Sequence, residues 1–177
     1  MPKRSKKQIE SDETIILKEL EKNANKSINE IAKKCGFSRQ KVWRIIKRLE
    51  KNNTIWGYVT IVDDEKQDLH SYILLIKKTS QPLSEELLEN ITKRKIENNA
   101  KKLGIIIESS FYVNGAYDYV ICFNAKDIKQ AKKLCESVNI LYKGHINEIQ
   151  LLETMFLIKK CGITNPEIDK LKEFIKF

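Results

Sequence analysis

The chain has 177 residues, 41% hydrophobic and 32% charged, with a net charge of +9. Such a composition supports folded cores in one domain or two small ones and excludes a disordered polyelectrolyte. No apolar run is long enough to span a bilayer, and no apolar stretch follows the basic start MPKRSKKQ to make it a signal peptide, so a soluble cytoplasmic protein with no membrane partner is expected.

The charge is unevenly spread. Residues 1–62 hold 15 Lys+Arg against 7 Asp+Glu, and residues 63–177 hold 18 against 17. A densely anionic partner, nucleic acid first among the candidates, is therefore expected at the front of the chain; a merely solvated basic surface is the alternative. Lys3, Arg4, Lys6 and Lys7 read as a mobile basic arm able to lean on phosphates.

From Asp12 the apolar spacing of Ile15, Ile16 and Leu20 predicts a helix that stops near residues 23–26. Ser27 followed by Glu30 has capping-box spacing and opens a short helix through Ile28, Ile31, Ala32 and Cys35, ended by Gly36. Ser38 caps the next helix, whose Val42, Ile45, Ile46 and Leu49 form one apolar stripe. Two short helices around a Gly-containing turn, the second strongly basic, make a helix-turn-helix.

At 100° per residue, Gln40, Arg44, Lys47 and Lys51 point away from the stripe, with Trp43 and Arg48 on its flanks. Gln40 and Arg44 can each make two hydrogen bonds to one base, whereas Lys47, Arg48 and Lys51 suit phosphates and Arg39 either target. With Ser38 and Lys41 at the helix start, these residues form the candidate surface for double-stranded DNA. Trp43 is expected to pack against a hairpin formed by residues 54–62, which read as a turn and then a strand, a wing or tether. Residues 1–62 are thus a DNA-binding domain and the polar 63–69 segment a hinge.

Beyond it the chain reads as strand His70–Lys78, helix Ser84 to about Lys102, strand Ile105–Val113, an Asn114-Gly115 turn, strand Tyr117–Asn124, helix Asp127–Tyr142 and strand Ile146–Lys159. This βαββαβ order over residues 70–162 predicts a ferredoxin-like antiparallel sheet, so the fold class is α+β. The last strands are apolar on both sides, which calls for a second cover, and a homodimer through this domain supplies it. Residues 163–177 add a helical tail beginning at Asn165-Pro166-Glu167. Cys35, Cys122, Cys135 and Cys161 show no C-x-x-C pair and no histidine at zinc spacing, so no metal is expected and a reducing compartment suits them.

The helix-turn-helix, the Thr54-Ile55-Trp56-Gly57-Tyr58 stretch after it and Gly115-Ala116-Tyr117-Asp118-Tyr119 within a βαββαβ domain resemble the leucine-responsive and asparagine-activator (Lrp/AsnC) family of prokaryotic transcription regulators, over roughly residues 8–162. The resemblance implies a dimer that assembles further into tetramers or octamers, DNA held by the N-terminal domains, and an amino-acid effector near a turn that maps to Gly115, Tyr117 and Asp118. The alternative for that turn is simple hairpin closure. The long helix from Ser84 and the added tail depart from the family pattern.

Two rival functions remain. Relatives of similar layout are siroheme decarboxylases, which use histidine and arginine around a tetrapyrrole; this chain has only His70 and His145, with no phosphate loop or nucleophile motif, so no catalytic residue and no cofactor are assigned. A non-specific architectural DNA-binding protein would share the basic front.

Overall fold

The computed structural model describes residues 5–176 and divides into two compact units, Met1–Thr60 and Ile61–Phe177. Lys3 and Arg4 of the expected arm lie outside the described residues.

The first unit is three helices, α1 (Lys6–Lys22), α2 (Ile28–Cys35) and α3 (Arg39–Lys51). α1 starts six residues before Asp12, because Ser5 caps it by accepting from the Gln8 N–H. Lys7 is therefore helical and not part of an arm. Asp12, read as a helix start, sits instead inside α1 at 3% exposure and pairs with Lys41 at 2.8 Å. Ile16, Leu20, Ile31, Val42, Ile45 and Leu49 interlock as the core. At about 1.5–3 kcal/mol per buried aliphatic side chain, this small cluster is the main support of the unit.

The expected wing does not form. Residues 56–62 join no strand, and Trp56 and Val59 are almost bare to solvent. Within one chain nothing offers them a partner strand, and a strand without a partner leaves its backbone groups to water.

In the second unit, β1 (His70–Lys78), β2 (Ile106–Tyr112), β3 (Tyr119–Ala125) and β4 (Ile146–Glu153) form one antiparallel sheet in the order β2-β3-β1-β4. The connections carry α4 (Glu85–Thr92), α5 (Lys95–Lys102) and α6 (Ile128–Leu141), the split-βαβ arrangement expected. Alternation sends Tyr72, Leu74, Ile76, Ile121 and Phe123 into the core with Ala100, Leu134 and Val138 of the helices. Opposite them, Ile73, Leu75, Val120 and Cys122 are only half-buried, while Phe111 and Leu152 are exposed.

Three boundaries differ from expectation. The helix from Ser84 breaks into α4 and α5 at Lys93-Arg94, with Arg94 in the left-handed region (φ 55°). Leu87 and Ile91 belong to one apolar stripe, but Ile96 stands five places after Ile91, off the three-four spacing; the turn re-registers the chain so that Ile96 and Ala100 also face the core. The last strand ends at Glu153, and a two-residue hairpin, β5 (Lys159–Lys160) and β6 (Ile163–Thr164), follows, turning through Cys161 (φ 46°) and Gly162 (φ 82°). The tail then ends in α7 (Leu171–Ile175), where the Phe174 ring packs tilted against Phe156 with centroids 5.4 Å apart.

The 63–69 segment is not a free hinge. Asp64 is 6% exposed and accepts from Asn124 Nδ2 (3.0 Å), Ser71 Oγ (3.2 Å) and Lys160 Nζ (2.7 Å). Burial disfavours the Lys160 ammonium, but Asp64 and Glu108 outweigh it and hold its pKa above the ordinary value. The polar letters of 63–69 conceal this buried network.

Both tryptophans, Trp43 and Trp56, lie in the first unit, so fluorescence during urea unfolding reports on that unit. Lys41→Ala takes one partner from a buried carboxylate that also accepts from Gln8 Nε2 and is expected to lower stability by about 2 kcal/mol, whereas Lys51→Ala, at an exposed position, should stay within about 0.5 kcal/mol.

Candidate nucleic-acid interface

The turn that presents α3 is built by local hydrogen bonds. Ser27 Oγ accepts from the Glu30 N–H (3.2 Å) while Glu30 Oε2 accepts from the Ser27 N–H (2.8 Å), fixing the start of α2. Gly36 ends it in the left-handed conformation (φ 65°), and the Phe37 N–H closes back on the Ala32 carbonyl at 2.9 Å. Two residues later Ser38 Oγ accepts from the Lys41 N–H (3.3 Å), so α3 leaves the turn in a fixed direction. Ser38 is thereby occupied as a cap.

With Val42, Ile45, Ile46 and Leu49 buried, Arg39, Gln40, Trp43, Arg44, Lys47, Arg48 and Lys51 are exposed on α3. Ion pairing divides the cations among them. Lys41 is committed inward, paired with Asp12 and lying 3.3 Å over the Phe37 ring, so it is a structural residue and not part of the outer face. Arg48 is shared with Glu13 of α1 (2.8 Å) and Lys47 with Glu50 (2.7 Å). The hydrogen bond with Glu50 raises the Lys47 pKa and lowers that of Glu50, while Tyr58, donating to the same carboxylate at 3.2 Å, is raised by desolvation and then by Glu50. No ion pair engages Arg39, Arg44 or Lys51 among the described residues, and Arg44 only donates from Nε to the Gln40 carbonyl (3.3 Å). Arg39, Gln40, Arg44 and Lys51 are thus the uncommitted groups.

Trp43 is half exposed, since the hairpin expected to cover it is absent. Lys33 and Lys34, exposed at the end of α2, add positive charge that a reading centred on α3 left out, although two lysines just before Gly36 were a visible signal.

The 113–118 loop has a different character. Asn114-Gly115 does not close a two-residue hairpin: neither residue has positive φ, and the loop is pinned from Val113, whose N–H donates to the Asp118 carbonyl (3.0 Å). Asp118 Oδ2 accepts from the Lys78 backbone N–H (2.9 Å), which leaves Oδ1 with the Lys78 ammonium at 3.9 Å. Gly115 is exposed with open space where a Cβ would stand. Tyr117 is half-buried, and its phenol pKa is raised by desolvation and by Glu148.

The two histidines cannot act together within one chain. His70 begins β1 and the His145 carbonyl accepts from Thr79, just past its end, so a nine-residue strand of roughly 30 Å separates them. No cluster of three metal-ligating side chains occurs among the described residues, and no described helix is long and apolar enough to cross a membrane.

Residues 15–55 match the family described as winged helix-turn-helix DNA-binding. The leucine-responsive regulatory protein of Haemophilus influenzae is 24% identical over 162 residues, 92% of this chain and 93% of that protein. An uncharacterized HTH-type transcriptional regulator of Pyrococcus furiosus is 24% identical over 158 residues, 88% of this chain and 97% of its own length. Among solved structures, an AsnC family transcriptional regulator from Agrobacterium tumefaciens superposes with a TM-score of 0.64 at 19% identity, covering 93% of this chain and 98% of its own. A Neisseria meningitidis transcriptional regulator solved with L-Met gives 0.65 at 16% identity, covering 89% and 94%. A helix-turn-helix unit followed by a β2-β3-β1-β4 sheet is thus the layout this chain shares with a leucine-responsive regulatory protein over 92% of its length, and its fold is that of an AsnC family regulator.

Proposed function

We infer that this DNA-binding transcription regulator reads its sites through the outer face of α3 and acts as a homodimer. The observation that carries the reading is the division of cations on α3: Lys41 is drawn into the core, while Gln40 and Arg44, the two side chains suited to base edges, and Arg39 and Lys51 stay uncommitted on one exposed face. Lys47 and Arg48 reach phosphates by exchanging Glu50 and Glu13 for the anionic backbone.

The dimer is supported by the open face of the sheet. Ile73, Leu75, Phe111, Val120, Cys122 and Leu152 form an apolar surface that no described helix covers, and a second copy of the same face is the simplest cover for it. Two helix-turn-helix units then meet half-sites about one helical turn apart. Assembly into tetramers or octamers and control by an amino acid at Gly115, Tyr117 and Asp118 belong to the same reading. The Neisseria relative solved with L-Met supports a small-molecule effector, and at this loop an ammonium would share Asp118 Oδ1 with Lys78.

Selection from a random DNA library at two salt concentrations tests the reading. A recovered palindrome establishes sequence-specific dimeric binding. Recovery of unrelated fragments, lost steeply with salt, establishes architectural binding instead, and no recovery with binding of a tetrapyrrole revives the siroheme decarboxylase reading. On the selected site, Arg44→Ala is expected to cost about 1–3 kcal/mol and relax one base position, while Lys51→Ala weakens all sequences alike and lowers the salt slope by about 1. Phe111→Glu, placing a charge on the open face, should convert the dimer to a monomer by analytical ultracentrifugation at unchanged helix content.

A further inference from the structure

We propose that the second unit carries its own contact for the DNA backbone, a lysine-lined seam between α5 and α6 that grips phosphates without reading sequence. Lys101 and Lys102 close α5, and Lys126, Lys129, Lys132 and Lys133 gather at the start of α6. All six are exposed, and no ion pair engages any of them among the described residues. Elsewhere in the unit cations sit against carboxylates: Lys78 on Asp118, Lys93 on Glu89, Lys160 on Asp64 and Lys170 on Glu167. With 18 basic and 17 acidic residues over 63–177, the unit is nearly neutral in sum and uneven over its surface.

Three side chains clamp the two helices together. Gln130 Nε2 of α6 donates to the Leu103 carbonyl just past α5 (2.6 Å), its Oε1 accepts from the Lys126 N–H (2.6 Å), and Asn99 Nδ2 of α5 donates to Ser137 Oγ (3.1 Å). Gln130 and Ser137, seven residues apart, share the flank of α6 that meets α5, and Lys133 lies between them on it. Lys102, three residues past Asn99, lies on the facing flank of α5. Lys102 and Lys133 therefore border the seam from either side, on a corner whose backbone is fixed.

The acids nearby are already spent. Asp127 caps α6, accepting from the Gln130 N–H at 2.7 Å; Glu97, four residues before Lys101, is held by Arg94; Glu108 is held by Lys160. Glu136 is left, one exposed carboxylate against six ammonium groups. Lys129 and Lys133 repel each other at i, i+4, and the start of a helix is where its dipole least favours cations. Folding gains no pairing from these charges, whereas a polyanion supplies it: a duplex carries one negative charge per roughly 1.7 Å of axis and releases a counterion for each lysine that takes its place. Lysine is a point charge suited to phosphate oxygens, and Gln130, the long amide beside these lysines, is committed twice, so the corner holds charge and no free base-reading group of its kind. The contact rests on the reading of this chain as a DNA-binding regulator and adds sequence-independent grip to what α3 recognises.

The test is the salt dependence of binding by the full-length protein to a mixed-sequence duplex of roughly 100 base pairs, long enough to leave backbone free beyond one site. The seam variant is Lys102→Gln with Lys129→Gln and Lys133→Gln; the charge-matched control is Lys77→Gln with Lys143→Gln and Lys159→Gln, three exposed lysines elsewhere in the unit. In the seam variant the slope of log K against log salt is expected to be shallower by about 2–3, close to one counterion per lysine, with the control near the parent. Both variants remove exposed lysines outside any ion pair among the described residues and should melt no lower than the parent. An unchanged slope in the seam variant, an equal fall in the control, or loss of retention on phosphatidylserine vesicles with DNA binding untouched would overturn the contact. Arg44→Ala is measured alongside. A slope that falls in Arg44→Ala but not in the seam variant refutes the seam alone, the reverse upholds the seam and refutes the reading of α3, and a parent that binds no duplex refutes both.

Discussion

The four-stranded sheet has two faces, and the described helices cover only one. Alternation along β1 and β3 makes the covered face from Tyr72, Leu74, Ile121 and Phe123, and the same alternation necessarily brings Ile73, Leu75, Val120 and Cys122 to the other side. Packing on the first face therefore generates the second. At one end of that second face the chain supplies its own cover, the network of Asp64, Ser71, Asn124 and Lys160, and there the residues are polar. Beyond that network Ile73, Leu75, Val120 and Cys122 leave the face largely apolar, so the boundary of what the chain covers itself is written in side-chain chemistry.

The same economy governs α3. A helix with so many basic residues repels itself unless some of that charge is spent locally. Asp12 and Glu13 of α1 and Glu50 of α3 itself each take one cation, which docks α1 to α3 and removes those groups from competition for an outside anion. Fixing the helix and selecting its outward chemistry are one event. A lysine three residues into α3 thus serves the fold, and an arginine three residues further serves the surface.

The elements that local rules specify were legible in the letters. Ser27 with Glu30, Gly36 and Ser38 define the turn of the helix-turn-helix before any tertiary contact exists, and the alternation of β1 and β3 marks the sheet. What escaped was decided at a distance. Asp12 was read as a helix start because its partner lies 29 positions away, and Asp64 looked like hinge because Asn124 and Lys160 are farther still. The break at Arg94 follows from a five-residue step between Ile91 and Ile96 that a count of apolar residues passes over. Residues 56–62 have the composition of a strand, but a strand is a relation between two segments, and one chain contains only one of them. At the candidate DNA surface the residue types follow from spacing, whereas their division into committed and uncommitted cations is decided by contacts with α1 and Glu50.

The Asp64 network also orders events during synthesis. Its carboxylate sits at the start of the second unit and its cation, Lys160, 96 residues later, so the loop between them closes only once residue 160 has left the ribosome. The helix-turn-helix core, by contrast, draws on nothing beyond residue 55 and can close while the rest is still being made. A nascent chain would thus carry a finished basic surface well before its sheet is complete, which makes the front unit the earlier of the two to meet polyanions in a crowded cell.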